Sequence, residues 1–263
     1  MSTKSDDRTE ECLIQLREEG WCMIENVIPD PAVDRVCHAT ETVNEKATAA
    51  YKEEGTSVIA YLQSFAPYLA DDRVLDVIRN IFNHPHVRIA QTELKIRQPH
   101  TSADPNVVGS PLRSYHSDWP HDLRDLSESG HLRQPFPDIV MSIVTLWMLS
   151  PFQSENGATW IVPRSHRNIR NPRGNDGISV TKPIPNEIQA TGNAGSVLMM
   201  DSRIWHTAAP NETDYSRVAV LARYVPWWLS VELGNRNQAT IPADVFSRFP
   251  EAVRALYQHR VKT

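Results

Sequence analysis

A chain of 263 residues, 40% hydrophobic and 22% charged, is long enough to bury a substantial core and has the balance of a globular protein. Its formal charge of -5 argues against nucleic acid as the main partner, because neutralising phosphates calls for a basic stripe. The longest nearly apolar run, Ile139 to Leu149, is well short of the roughly 18 residues of a membrane span.

The first residues, Met1 to Glu11, are polar and acidic and do not read as a signal peptide. Cys12, Cys22 and Cys37 have no spacing that suggests a disulfide framework or a zinc site. A cytoplasmic protein without a membrane anchor is therefore expected. From Arg8 to Glu19, Cys12, Leu13 and Leu16 recur at helical spacing, and Gly20 supplies a stop. Trp21 to Ile28 reads as a short strand ended by Pro29. A second helix starts with Asp30 as N-cap and Pro31 in the first turn, and runs to about Tyr51. A third covers Asp71 to Phe82, with Val74, Leu75, Ile78 and Ile81 as one apolar stripe.

Beyond these helices the chain turns to strands. Ile89 to Ile96 is rich in β-branched residues and closed by Pro99. Two loop-like segments, His100 to Arg113 and His121 to Asp138, flank the motif discussed below, and long loops in a folded domain are usually functional lids or disordered. Further strands are expected at Ile139 to Leu149, Ala158 to Val162, Val197 to Met200, Trp205 to Ala208 and Val218 to Val225. Helices early and short strands later predict an α+β chain, mainly β in its core, built on two packed sheets.

The chemistry concentrates at Tyr115-His116-Ser117-Asp118-Trp119. In an extended segment, residues i and i+2 point to one face, so His116 and Asp118 can aim an imidazole and a carboxylate at one ion. Alone, such a pair is more often an ordinary surface or hydrogen-bonded pair. A catalytic metal needs a third ligand, and His206 is the best candidate, in an apolar run before the Pro210-Asn211 turn. Reversal there, by a hairpin or by a corner between sheets, brings Arg217 back alongside His206. Two imidazoles and one carboxylate leave coordination positions open, as in non-haem Fe(II) oxygenases. The helical His-Glu-x-x-His of zinc hydrolases is absent. Alternation sends Tyr115 and Trp205 away from their neighbouring ligands, to packing roles.

His116-x-Asp118, a single His about ninety residues later, Arg217 eleven positions after it, and the intervening Asn156-Gly157 and Pro163-Arg164-Ser165-His166 together resemble the phytanoyl-CoA dioxygenase family. Arg164 stands where that family usually has Gly. The resemblance runs from about residue 11 to about 228. It implies a double-stranded β-helix, the cupin-like jelly roll, braced by N-terminal helices. It also implies Fe(II) on His116, Asp118 and His206, and 2-oxoglutarate as cosubstrate with its far carboxylate on Arg217. Thr159 matches a position that contacts the cosubstrate in some relatives, although its hydroxyl could equally be structural; a strand Arg would by default cap the core, here against Asp201 or Asp214, but the spacing of Arg217 from His206 favours the carboxylate. We expect one domain over 1–263: helical support at about 6–83, the jelly-roll core at about 85–228 and a C-terminal extension at 229–263.

The activity implied is oxidation of a small organic molecule by O2, most simply hydroxylation, with release of succinate and CO2. The rival is a jelly-roll protein that binds a metal or small ligand without oxidising anything. Arginines gather in the loops beside the ligand pair, which predicts an anionic substrate paired with Arg97, Arg113 or Arg124, with Trp119 lining the pocket.

Overall fold

The computed structural model describes residues 3–99, 113, 115–118, 139–168, 172, 182–229 and 239–262. Helix α1 (Thr3–Glu19) ends at Gly20 and leads into strand β1 (Trp21–Ile24), four residues rather than the eight expected. Helix α2 (Asp30–Glu54) is capped by Pro29, not Asp30; Asp30 lies in the first turn, where its charge complements the helix dipole. Helix α3 (Asp72–Phe82) begins as its sequence predicts, with the Asp71 carboxylate accepting from the Arg73 amide at 3.0 Å.

The strands are β2 (Val87–Arg97), β3 (Ile143–Met148), β4 (Thr159–Val162), β5 (Ile188–Ala190), β6 (Val197–Asp201), β7 (Trp205–Ala208) and β8 (Arg217–Pro226). They form a five-stranded sheet in the order β1-β6-β3-β8-β2 and a three-stranded sheet in the order β5-β4-β7. Every pairing is antiparallel. The turn after β7 is a corner, because β7 and β8 belong to different sheets.

Pleating explains why β3 and β8 lack a polar face. Val144, Leu146, Met148, Ala219 and Leu221 point into the space between the sheets, where they meet Ala158, Ile161 and Ala190. Their alternates, Ile143, Trp147, Val218, Val220 and Tyr224, pack under the helices with Leu16, Val74 and Ile78. Both faces are dry, so the sequence runs apolar without alternation. The arrangement is a double-stranded β-helix with helices on one side.

Two short C-terminal helices, α4 (Ala243–Ser247) and α5 (Glu251–Tyr257), support the edge strand β2. Tyr257 and Thr92 share a buried hydroxyl contact, and Arg260 donates to the Ala90 carbonyl at 2.7 Å. Among the described residues, no helix is long and apolar enough to cross a membrane.

Candidate metal centre

Backbone pairing brings the two histidines together. The His116 amide donates to the His206 carbonyl at 3.1 Å, and the His206 amide returns the bond at 2.9 Å. The residues are thus direct cross-strand partners, and their rings lie 4.4 Å apart between centroids at 45°. Asp118, two residues on, puts Oδ1 3.5 Å from His116 Nε2 and 3.8 Å from His206 Nε2. All three ligand atoms lie within 4.8 Å of one another.

Protonation favours a cation. His206 Nδ1 lies 3.0 Å from the Ile204 carbonyl, which fixes the proton there and turns the Nε2 lone pair toward the other ligands. Burial, reinforced by neighbouring His116, lowers the His206 pKa to about 4 and keeps the ring neutral. Burial works the other way on Asp118, but Arg223, His206 and His116 outweigh it and hold the carboxyl well below its ordinary value. Asp118 Oδ2 is buried and accepts no hydrogen bond. Two imidazole nitrogens and one carboxylate, whose Oδ2 is orphaned among the described residues, fit a divalent metal with open positions.

Arg223 escaped the sequence reading. It is 2% exposed, and Nη1 donates to the Asp118 main-chain carbonyl at 3.0 Å while Nη2 sits 3.5 Å from Oδ2. The available signal was an arginine inside an apolar strand, six residues from Arg217 and hence on the same face.

Arg217 points between the sheets from the first position of β8 and is 4% exposed. It donates through Nη1 to the Gly157 carbonyl and lies 4.1 Å above the Phe152 ring, while Nε has no partner. It pairs with neither Asp201, which binds Arg203, nor Asp214. The Asn156-Gly157 turn supports this contact: Asn156 accepts from the Gln153 amide at 2.8 Å and donates to the Pro151 carbonyl at 2.9 Å. Gly157, at φ +89°, turns its carbonyl to Arg217. Thr159 shares the inward face of β4 with Ile161, and its hydroxyl has no hydrogen-bond partner among the described residues.

The Pro163-Arg164-Ser165-His166 segment ties three elements together. Ser165 Oγ donates to the Val162 carbonyl at 2.6 Å and accepts from the Trp205 amide at 2.7 Å, which fixes the start of the strand that carries His206. His166 Nε2 meets the Arg17 carbonyl at 3.2 Å, under the end of α1. Arg164 has φ +67°, a left-handed conformation that accounts for Gly at this point of the motif.

Other expected site residues fall differently. Arg113, expected to meet an anionic substrate, donates instead to Glu187 Oε1 at 2.7 Å and lies 4.2 Å over the Trp160 ring. Glu187 also accepts from Tyr115 Oη at 2.7 Å, so the Arg113 charge is matched within the fold. Tyr115 and Trp205 pack together with Val162, away from the ligands. Arg97 stands opposite Arg217 on β2. Trp119 and Arg124 lie outside the described residues.

Comparison with known proteins bears on the fold and the family. An uncharacterised protein of Mycobacterium tuberculosis is 23% identical over 211 residues, covering 76% of this chain and 69% of that protein. Among solved structures, the epimerase SnoN in complex with Fe3+, alpha ketoglutarate and nogalamycin RO superposes with a TM-score of 0.60 at 15% identity, covering 87% of this chain and 88% of SnoN. HygX from Streptomyces hygroscopicus, with nickel and 2-oxoglutarate bound, gives a TM-score of 0.60 at 19% identity, covering 89% and 90%. These likenesses are of fold. The phytanoyl-CoA dioxygenase family description matches residues 16–219, a span holding the triad, the Asn-Gly turn, the Ser-His loop and Arg217, and the chain belongs to that family of iron- and 2-oxoglutarate-dependent enzymes.

Proposed function

We propose that this chain is an Fe(II)- and 2-oxoglutarate-dependent dioxygenase that hydroxylates a small organic molecule, with His116, Asp118 and His206 as the metal ligands. The observation that carries the reading is the convergence of these three ligand atoms in one jelly-roll interior that also holds a buried Arg217 with no acid partner among the described residues. When bound, the iron and its oxo-acid cosubstrate supply O2 activation and the oxidising power.

The protein contributes binding, orientation and exclusion of water. His206, kept neutral by burial, and Asp118, kept ionised beside Arg223, present their donor atoms without first losing a proton at neutral pH. Arg217 pairs with the far carboxylate of 2-oxoglutarate, which compensates a guanidinium that among the described residues has only Gly157 as acceptor. Thr159 offers its free hydroxyl to the same ligand. The apolar inner wall of Leu146, Leu221 and Ile161 keeps the site dry.

The test begins without oxygen: Fe(II) and 2-oxoglutarate together should give a weak visible charge-transfer band, and air should then release succinate. Asp118→Ala should abolish both even with excess iron. Arg217→Ala removes a guanidinium-carboxylate pair worth roughly 2 to 5 kcal/mol. It should raise the 2-oxoglutarate requirement by roughly tenfold or more, at about 1.4 kcal/mol per decade, and leave metal binding near wild type. A colourless mixture that makes no succinate would leave a metal-binding jelly roll that oxidises nothing.

A further inference from the structure

The register of the large sheet sets Arg97 on β2 directly opposite Arg217 on β8. Side chains alternate along a strand, so Arg97, Lys95, Glu93 and Gln91 share one face with Arg217, Ala219, Leu221 and Arg223. Ala219 and Leu221 belong to the core between the sheets, so this is the inner face. Two guanidiniums therefore meet at one end of the jelly-roll interior. The turn at Gly157 lies against both: its carbonyl accepts from Arg217, and a methyl group on its Cα would stand 3.3 Å from Arg97 Cγ.

Neither guanidinium has a carboxylate partner among the described residues. Arg97 is half-buried and donates Nε to the Ala209 carbonyl at 3.1 Å, with its two terminal nitrogens uncommitted among the described residues. Arg217 is buried, with an orphaned Nε. Like charges at facing strand positions repel, and burial deepens the cost. The strain registers on Arg217, whose pKa is lowered to about 10, first by burial and then by Arg97. Two adjacent inward cations with no acid partner among the described residues form a site suited to an anion.

Position along the strands identifies which anion. The same register places Gln91 opposite Arg223, the arginine that holds Asp118. Arg97 donates to the Ala209 carbonyl, which lies three residues, or about 10 Å of extended chain, beyond His206, a span that a five-carbon diacid chelating at the metal can cover. A group oxidised at the metal sits at the Asp118 end. Arg97 sits with the residue that takes the other end of the cosubstrate.

We propose that Arg97 is a second clamp, and that the far carboxylate of 2-oxoglutarate is held between the guanidiniums of Arg97 and Arg217. The assignment rests on the reading of the site as a 2-oxoglutarate site, and it moves Arg97 from an incoming substrate to the cosubstrate. It also makes the pocket selective for metal-chelating diacids whose second carboxylate reaches the far end. Short chelators gain nothing from Arg97.

The experiment uses the full chain loaded with Ni(II), which binds without turning over, and titrates 2-oxoglutarate and oxalate by calorimetry. Oxalate chelates the metal and has no remote carboxylate. Arg97→Gln should weaken 2-oxoglutarate by about tenfold or more while leaving oxalate within about twofold of wild type, and Arg97→Lys should recover part of the loss. Retained oxalate binding reports a folded, metal-loaded variant. The proposal is overturned if Arg97→Gln binds 2-oxoglutarate like wild type, or if both chelators weaken equally. A wild-type Ni(II) protein that does not bind 2-oxoglutarate at all overturns the reading of the site itself, and the role of Arg97 goes with it.

Discussion

Arg223 holds Asp118 by both its main chain and its side chain, with Nη1 donating to the carbonyl at 3.0 Å and Nη2 3.5 Å from Oδ2. The arginine belongs to β8, an interior strand of the large sheet, whereas the segment bearing Asp118 joins the small sheet through one residue pair. Arg223 therefore spans the interior and fixes the loop that carries two of the three ligands. It also neutralises a buried carboxylate before any metal arrives.

Removing one partner of a buried ion pair leaves an uncompensated charge that costs about 3 to 5 kcal/mol. Arg223→Ala should lower the melting temperature of the metal-free protein by on the order of 10 °C. A divalent metal would replace the missing positive charge. The rise in melting temperature on adding Ni(II) should thus be larger in the variant than in wild type, and equal rises would count against this role for Arg223.

Gly157 offers a second test, at the other end of the pocket. Its φ is +89°, and an added Cβ would lie 2.8 Å from the Ala209 carbonyl oxygen and 3.1 Å from that of Pro210. Both obstacles are backbone, so the turn must shift. Gly157→Ala should lose about 1 to 3 kcal/mol of stability. Because the Gly157 carbonyl holds Arg217, 2-oxoglutarate binding should weaken while metal binding persists. Calorimetry with each ligand separates the two effects, and unchanged 2-oxoglutarate affinity would disconnect the turn from Arg217.

The cluster proposed to hold the metal was legible because its geometry is local or carried by a motif. His116 and Asp118 follow from a two-residue repeat, and the same alternation explains why Tyr115 and Trp205 pack elsewhere. Arg223 was not legible as a partner of Asp118, since the contact bridges 105 residues and depends on which sheets face each other. Strand β5 was missed because Ile188-Gln-Ala is too short to show a period. Arg113, whose loop setting suggested a substrate contact, pairs with Glu187, a partner far along the chain that no local pattern reveals.

At Arg164 the motif's usual glycine has a visible physical basis, so the departure is testable. The residue adopts φ +67° and pairs with Glu19 across an exposed surface. Surface pairs contribute little, whereas left-handed backbone favours glycine. Arg164→Gly should leave the melting temperature unchanged or slightly higher. Arg164→Val, β-branched at the same φ, should lower it by several degrees. An Arg164→Gly variant that melts well below wild type would assign real weight to the Glu19 pair.

His259 supplies a pH signature away from the metal. His259 is exposed as a residue, but partial desolvation of its ring, with Arg260 and Arg88 nearby, lowers its pKa to about 4. An unfolded histidine titrates near 6.5, so between about 6.5 and about 4 the unfolded chain binds a proton that the folded chain refuses. Stability should fall as pH drops through that window and level off below it. His206 follows the same sign in the metal-free protein. Replacing His259 with Gln should flatten part of the slope in melting temperature between about pH 7 and about pH 4, and an unaltered slope would exclude its contribution.

The mutual hydrogen bonds between His116 and His206 have a topological consequence. These ligands lie about ninety residues apart in the chain yet face each other as one rung of a ladder. An ion shared by their imidazoles would act as a removable cross-link, closing a long loop whose entropy the unfolded chain would otherwise keep. Metal loading and the anchoring of the 115–118 segment then become one equilibrium. Amide exchange at His116 and His206 should slow together when metal is added, and the segment should fray first when it is withdrawn.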